Sequence, residues 1–107
     1  MILLGDAIEY VKISRKIFEP ISDMVKAGLY KDEQEALKRL VHDQAEQKID
    51  YYNKKIAEME QKYGMDFSAF EKRIHSRVGG EEDFEEWDDF IIWESYVTAS
   101  RYWEQFL

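Results

Sequence analysis

The residues with most chemical potential sit together. Residues 81–89, EEDFEEWDD, hold seven carboxylates in nine positions, and Glu82, Glu85, Glu86 and Asp89 share one side if the segment is helical. Paired carboxylates at that density could hold a divalent cation or move protons. A hard-cation loop needs oxygens converging around a turn, and no D-x-D-x-D-G pattern is present. A helical two-metal site needs Glu-x-x-His pairs on two helices. His75 instead has Glu71 four residues before it, and His42 has Glu46 four residues after it. A carboxylate metal site therefore ranks behind an acidic surface that faces solvent or a partner. His42 and His75 have no serine or cysteine at a motif spacing, so nucleophilic catalysis has nothing to build on. Gly79-Gly80 is followed by acid, which repels phosphate. No enzyme and no cofactor is expected.

Large rings run through the same segment. Trp87, Phe90, Trp93, Tyr96 and Trp103 follow or interrupt the carboxylates, and at helical spacing they fall all round the helix rather than on one narrow stripe. Trp and Tyr are favoured interface anchors, and negative charge steers a basic partner toward them. The competing expectation is that this helix folds back along another and supplies its cover. The two are compatible, with one face inward and one outward.

The elements that must position these groups are helical. Only Pro20 and five glycines interrupt the chain. Residues 11–18, VKISRKIF, alternate as a half-buried strand would, yet residues 5–18 also fit a helix. Helix is favoured there, because a lone strand would lack a partner. Pro20 suits a helix start, with Ile21, Met24 and Val25 as an apolar stripe and Gly28 as its stop, giving a helix over 20–27. Asp32 and Glu35 form a capping box. From Asp32 to Tyr63 apolar residues recur every three or four positions, and Gly64 ends the run. About thirty residues at 1.5 Å each span roughly 45 Å, beyond a compact domain of this size, so part of that helix needs cover from another helix or another chain. Met65, Asp66 and Phe70 look like a staple and cap for a helix from Phe67 to about Arg77. Gly79-Gly80 reads as a hinge. On a last helix beyond it, Phe84, Trp87, Ile91 and Thr98, with Phe90, Trp93 and Val97 beside them, trace a wide apolar face.

Charge divides the chain. Residues 1–78 carry fourteen acidic and fourteen basic side chains, whereas residues 79–107 carry nine acidic and only Arg101, which accounts for the net −8. Lys12, Arg15, Lys16, Lys26, Lys31, Lys38 and Arg39 are the candidates for a nucleic-acid surface, but nearby acids offset most of them. No apolar run approaches membrane-spanning length, and MILLGDAIEY lacks the basic start and apolar stretch of a secretory signal. With no cysteine, disulfides and thiolate sites are excluded, and a cytoplasmic location is expected.

The passage MVKAGLYKDEQEALKRL, residues 24–40, resembles the helix, glycine-aromatic turn and second helix of small prokaryotic type II antitoxins related to the ribbon-helix-helix group. Gly28 and Tyr30 match the turn; Glu35 and Ala36 match the helix start. The section YNKKIAEMEQKYGMDFSAFEKRI, with the acidic tryptophan-rich end EEWDDFIIWESY, is similar to C-terminal halves of antitoxin-like proteins. The resemblance implies an intracellular protein that dimerises through its N-terminal half and neutralises a basic, RNA-attacking toxin with its C-terminal half. Operator DNA is a weaker implication: a DNA-reading ribbon needs a partnered strand at residues 11–17, and the second helix opens with Asp32 and Glu33, where phosphate-binding relatives keep neutral or basic residues.

The expectation is thus a mainly α, elongated helical protein with one long central helix and, as an alternative at the N-terminus, a short strand. Residues 1–78 form a helical body with a dimerisation half, and residues 79–107 an acidic aromatic helix. Its function is non-catalytic protein binding, with Trp87, Phe90, Trp93, Tyr96 and Trp103 as anchors and Glu82, Glu85, Glu86 and Asp89 as steering charges. The rivals are a structural homo-oligomer without a toxin partner and a carboxylate metal-binding helical protein.

Overall fold

A computed structural model of the chain describes residues 2–4, 9–77 and 83–107, with side chains from residue 10 onward. Two short strands come first, β1 (Ile2–Leu4) and β2 (Glu9–Val11). Four helices follow: α1 (Arg15–Lys26), α2 (Glu33–Tyr63), α3 (Phe67–His75) and α4 (Phe84–Glu104). The protein is mainly helical, with a long central helix of 31 residues. Among the described residues no helix is long and apolar enough to cross a membrane. The Gly79-Gly80 joint and Glu82 lie outside the described residues.

Contacts divide the chain into two compact units, Met1–Val41 and His42–Leu107. The boundary falls within α2, and α4 packs with residues 42–77.

In the first unit β1 and β2 pair antiparallel, with Ile2 opposite Val11, Leu3 opposite Tyr10 and Leu4 opposite Glu9. Neither expectation for residues 5–18 survives whole. A strand does form, and the apolar ILL segment supplies the partner that seemed to be missing. The strand stops at Val11, however, and the chain is helical from Arg15. The helix expected to begin at Pro20 contains that proline in its second turn. The reason is periodic: Ile17, Phe18, Ile21, Met24 and Val25 share one face, and the stripe continues back across Pro20. The proline removes one backbone donor at an exposed position. No residue of α1 is fully buried.

Gly28 ends α1 as expected. Its φ of 82° is left-handed, and two bonds close the turn: Leu29 N–H donates to Met24 O at 3.0 Å, and Gly28 N–H to Val25 O at 3.0 Å. This is a Schellman closure. Asp32 then caps α2, accepting from Glu35 N–H at 2.8 Å, while the Glu35 carboxylate accepts from Lys31 N–H at 2.8 Å. The reciprocal arm of the capping box reaches one residue further back than the usual pattern.

The second unit holds a core of rings. Gly64 turns the chain at φ 65°, and Asp66 caps α3 by accepting from Ala69 N–H at 2.8 Å. Phe70, Ile74, Phe90 and Trp93 are buried together; Ile56, Met59 and Tyr63 from α2 pack on them, with Met65, Phe67 and Val97. Ring centroids lie 4.3 Å apart for Tyr63 and Phe70, 5.2 Å for Phe70 and Trp93, and 5.6 Å for Phe67 and Trp93. Towards the other end of α4, Tyr96 meets Tyr52 at 6.2 Å, and the Ser100 hydroxyl donates to Asn53 Oδ1 at 3.0 Å. Partners rise along α4 as they fall along α2, so the two helices run antiparallel. The cover that α2 needs between Tyr52 and Tyr63 comes from its own chain.

Phe70→Ala is expected to cost about 3–5 kcal/mol in urea denaturation, as for other buried phenylalanines. Asp66→Ala should cost about 1 kcal/mol through the lost cap.

Candidate functional site

α4 has two working faces. Asp83 caps it, accepting from Glu86 N–H at 3.2 Å. The Glu86 side chain, which a capping box would turn back toward the cap, is drawn inward: it is buried and clamped by the guanidinium groups of Arg73 and Arg77. Lys62 Nζ bridges Glu85 at 2.9 Å and Asp89 at 2.6 Å, and the Tyr63 hydroxyl donates to the same Asp89 oxygen. Three acids at the start of α4 are thus matched by three bases from α2 and the α3 region.

Protonation follows from these contacts. Burial alone would raise the Asp89 carboxyl, but hydrogen bonds from Lys62 and Tyr63 and the Lys62 charge hold it below the usual carboxylate range. Burial, then the hydrogen bond to Asp89, pushes the Tyr63 phenol up to about 12. Hydrogen bonds to Asp89 and Glu85 raise the Lys62 amine.

A second face of α4 is apolar and uncovered. Phe84 is 73% exposed, Trp87 48%, Ile91 52% and Tyr102 55%. With a 100° advance per residue, these four and Thr98 fall within an arc of about 60°, centred roughly 120° round the helix from the mean direction of Phe90, Trp93 and Val97; Trp87 stands at its near edge, where its ring meets Phe90 at 5.7 Å. The single wide apolar face expected for this helix is therefore two faces, one in the core and one bare.

The anchor residues separate accordingly. Phe90 and Trp93 belong to the core, and a partner cannot reach them without opening it. Tyr96 is half-buried against Tyr52. Trp103 is half-buried, with Tyr102 and Phe106 as ring neighbours at 5.4 and 5.7 Å. Trp87 alone of the five lies on the bare face. Of the steering charges, Glu85, Glu86 and Asp89 are engaged within the chain, and Glu82 lies outside the described residues. The carboxylates still unpaired among the described residues of α4 are Asp88, Glu94 and Glu104. Sequence reasoning did not pick out Phe84, Ile91 and Tyr102 as contact residues, nor Lys62, Arg73 and Arg77 as counter-charges. The bases carried a usable signal, since KRxxxR at 72–77 directly precedes the acidic run.

For a metal site the inner carboxylates are poorly placed, because lysine and arginine already occupy the side where a cation would sit. A second cluster lies on α2, where His42 Nδ1 is 3.9 Å from Asp43 and 3.5 Å from Glu46. It is the neighbourhood that any His-Asp-x-x-Glu helix provides, and its carboxylates are exposed. In the first unit, the seven cations from Lys12 to Arg39 are exposed and unpaired among the described residues. Arg15 and Lys16 stand in α1, so the ribbon that would carry 11–17 onto DNA is absent there.

Comparison with known protein families, with curated proteins and with solved structures returns no match for this chain.

The Asp89 contacts set a pH dependence with two limbs. Asp89 has a lowered folded pKa, so its contribution to stability is complete above the ordinary carboxylate range and is lost as pH falls through the folded value. Tyr63 and Lys62 have raised values, so their contribution is complete below pH 10 and is lost as pH rises from there, for Tyr63 between about 10 and 12. Urea midpoints measured across pH should show both limbs, with Asp89→Asn flattening the acid limb and Tyr63→Phe reducing the alkaline one.

Proposed function

We propose that the protein is a non-catalytic protein-binding module whose contact surface is the bare face of α4, and that the partner it takes there is basic. One observation carries this: Phe84, Trp87, Ile91 and Tyr102 are exposed on a side of α4 turned away from a completed aromatic core. Trp87 rests with one edge on the Phe90 ring at 5.7 Å and Tyr102 meets Trp103 and Phe106, yet all four side chains keep about half or more of their surface outside the core. Exposed aromatic and aliphatic side chains in one line, rimmed by polar residues, mark protein interaction sites. Residues 42–107 carry sixteen acidic and eight basic side chains, so the unit that bears this face carries the whole of the −8 and draws cations toward itself.

The finer proposal follows the resemblance in residues 24–40. The chain acts as a cytoplasmic antitoxin-like protein that neutralises a basic RNA-targeting toxin and pairs with a second copy through its N-terminal half. Physical support for the pairing is independent of the resemblance. The unit Met1–Val41 has Ala36 as its one buried hydrophobic residue among those described, while Tyr10, Val11, Ile13, Ile17 and Leu29 are exposed. Units of about 40 residues without disulfides or metals usually need association to be stable. Seven acidic and seven basic side chains leave residues 1–41 neutral, so charge does not oppose self-association there.

Co-expression with the adjacent reading frame should give a complex that co-elutes on gel filtration and weakens with added salt. Ile91→Asp and Trp87→Ala should each weaken it about tenfold or more, with the thermal midpoint of the free protein unchanged in Ile91→Asp and lowered modestly in Trp87→Ala, which uncovers the Phe90 ring. A complex indifferent to both substitutions would remove the bare face as the binding surface. Sedimentation of the free protein should give twice the 12.9 kDa chain mass, reduced to one chain by Ile17→Asp.

A further inference from the structure

Resting on the protein-binding reading, we infer that the element docking on α4 is a basic amphipathic helix laid along the line from Phe84 to Tyr102.

Shape is the first reason. The line advances by three, four, seven and four residues through Phe84, Trp87, Ile91, Thr98 and Tyr102, spanning about 27 Å of helix axis. Bulky side chains stand at its two ends, with the small residues Ser95 and Thr98 between them, so the surface is a shallow saddle. The Ser95 hydroxyl donates to Ile92 O, which satisfies it without an outside acceptor and suits it to an apolar neighbour. Another helix seats well in such a saddle, placing its ridge of side chains at the small residues, where the axes approach most closely. A strand gains nothing here, since the α4 backbone is already hydrogen-bonded within the helix and offers no edge.

Charge is the second reason. Asp88 lies on one flank of the line and Glu94 on the other, both exposed and without a salt bridge among the described residues. On the inner side of the same helix the acids of its first two turns have their bases: Glu85 and Asp89 have Lys62, and Glu86 has Arg73 and Arg77. Lys or Arg flanking the apolar stripe of an incoming helix would complete the outer side in the same way, as charges beside a helical seam set partner choice. A second copy of α4 is disfavoured by the same count. Arg101 is its only base, and each copy brings a unit of net charge −8.

The test uses the full chain and three labelled peptides of about 21 residues, enough to span the line. Two share a leucine stripe at spacing three and four, one with Lys and Arg on its flanks and the other with Glu. The third has the basic composition scrambled so that the leucines share no face. In fluorescence anisotropy at low salt, the basic striped peptide should bind at least about tenfold tighter than either control. Ile91→Asp and, separately, Trp87→Ala should remove that binding while leaving the helical circular dichroism unchanged. Asp88→Lys combined with Glu94→Lys should invert the preference toward the Glu-flanked peptide.

Equal binding of the scrambled peptide would reduce the effect to nonspecific charge and overturn the inference. Binding by none of the three would also overturn it, as would Ile91→Asp dissociating a dimer of the free protein, which would assign the face to a second copy. If the co-expressed complex is lost in Ile91→Asp while no peptide binds, the helical occupant is wrong and the protein-binding reading stands. If that complex survives Ile91→Asp, both fall.

Discussion

The packing of Trp93 and Phe70 between α2, α3 and α4 is the constraint on which the second unit rests. Both side chains are fully buried, and Tyr63, Phe67 and Phe90 surround them. The cluster also contains an imperfection: the Trp93 indole N–H is buried with no acceptor among the described residues. An orphaned donor of this kind costs about 1–3 kcal/mol. Burying a tryptophan removes some 150–250 Å² from water, about 4–6 kcal/mol at 25 cal/mol per Å². The ring therefore holds its place by area, and hydrogen bonding contributes nothing to that choice. Because the cluster fixes the rotation of α4 about its own axis, it also decides which residues are left outside.

The acidic run takes its meaning from that rotation. Seven carboxylates in nine residues look in the sequence like one surface, but the four that lie within α4, Glu85, Glu86, Asp88 and Asp89, are distributed around the helix. Glu85, Glu86 and Asp89 fall on the side facing α2 and α3, where Lys62, Arg73 and Arg77 meet them. These pairs join the start of α4 to the turn region and are only partly shielded from water, so they contribute orientation more than stability. Their placement beside the helix N-terminus adds a favourable dipole term. Asp88 and Glu94, on the flanks of the bare line, are the ones left for an outside cation.

Local signals in the sequence were dependable wherever a single residue type sets the backbone. Gly28, Gly64, Asp32 with Glu35, and Asp66 all do what their chemistry requires, and the long helix runs between its expected ends. The N-terminal segment was misleading because two periodicities overlap there: the alternation of 11–18 is real in letters, yet Ile17 and Phe18 belong to the helical stripe that crosses Pro20. For α4 the apolar residues were legible but their division was not. Apolar letters cover so much of its circumference that periodicity alone cannot choose the inward side. Only α2 and α3, brought together by the Gly64 turn, make that choice, and hence Phe90 and Trp93 became core while Phe84, Ile91 and Tyr102 became surface.

The two units differ in what they leave incomplete, and the difference bears on what could complete them. Residues 1–41 are neutral, and among their described side chains Ala36 is the one buried hydrophobic, so the deficit there is apolar area, which an identical copy could supply without electrostatic cost. Residues 42–107 have a finished core and a net charge of −8, so the deficit is counter-charge beside an apolar line, and an identical copy would make it worse. At an effective dielectric of about 20, like charges 4 Å apart repel by about 4 kcal/mol, enough to cancel the burial of one or two of the exposed side chains of α4. An identical copy for residues 1–41 and an unlike, cationic surface for residues 42–107 are the combination the proposed function requires.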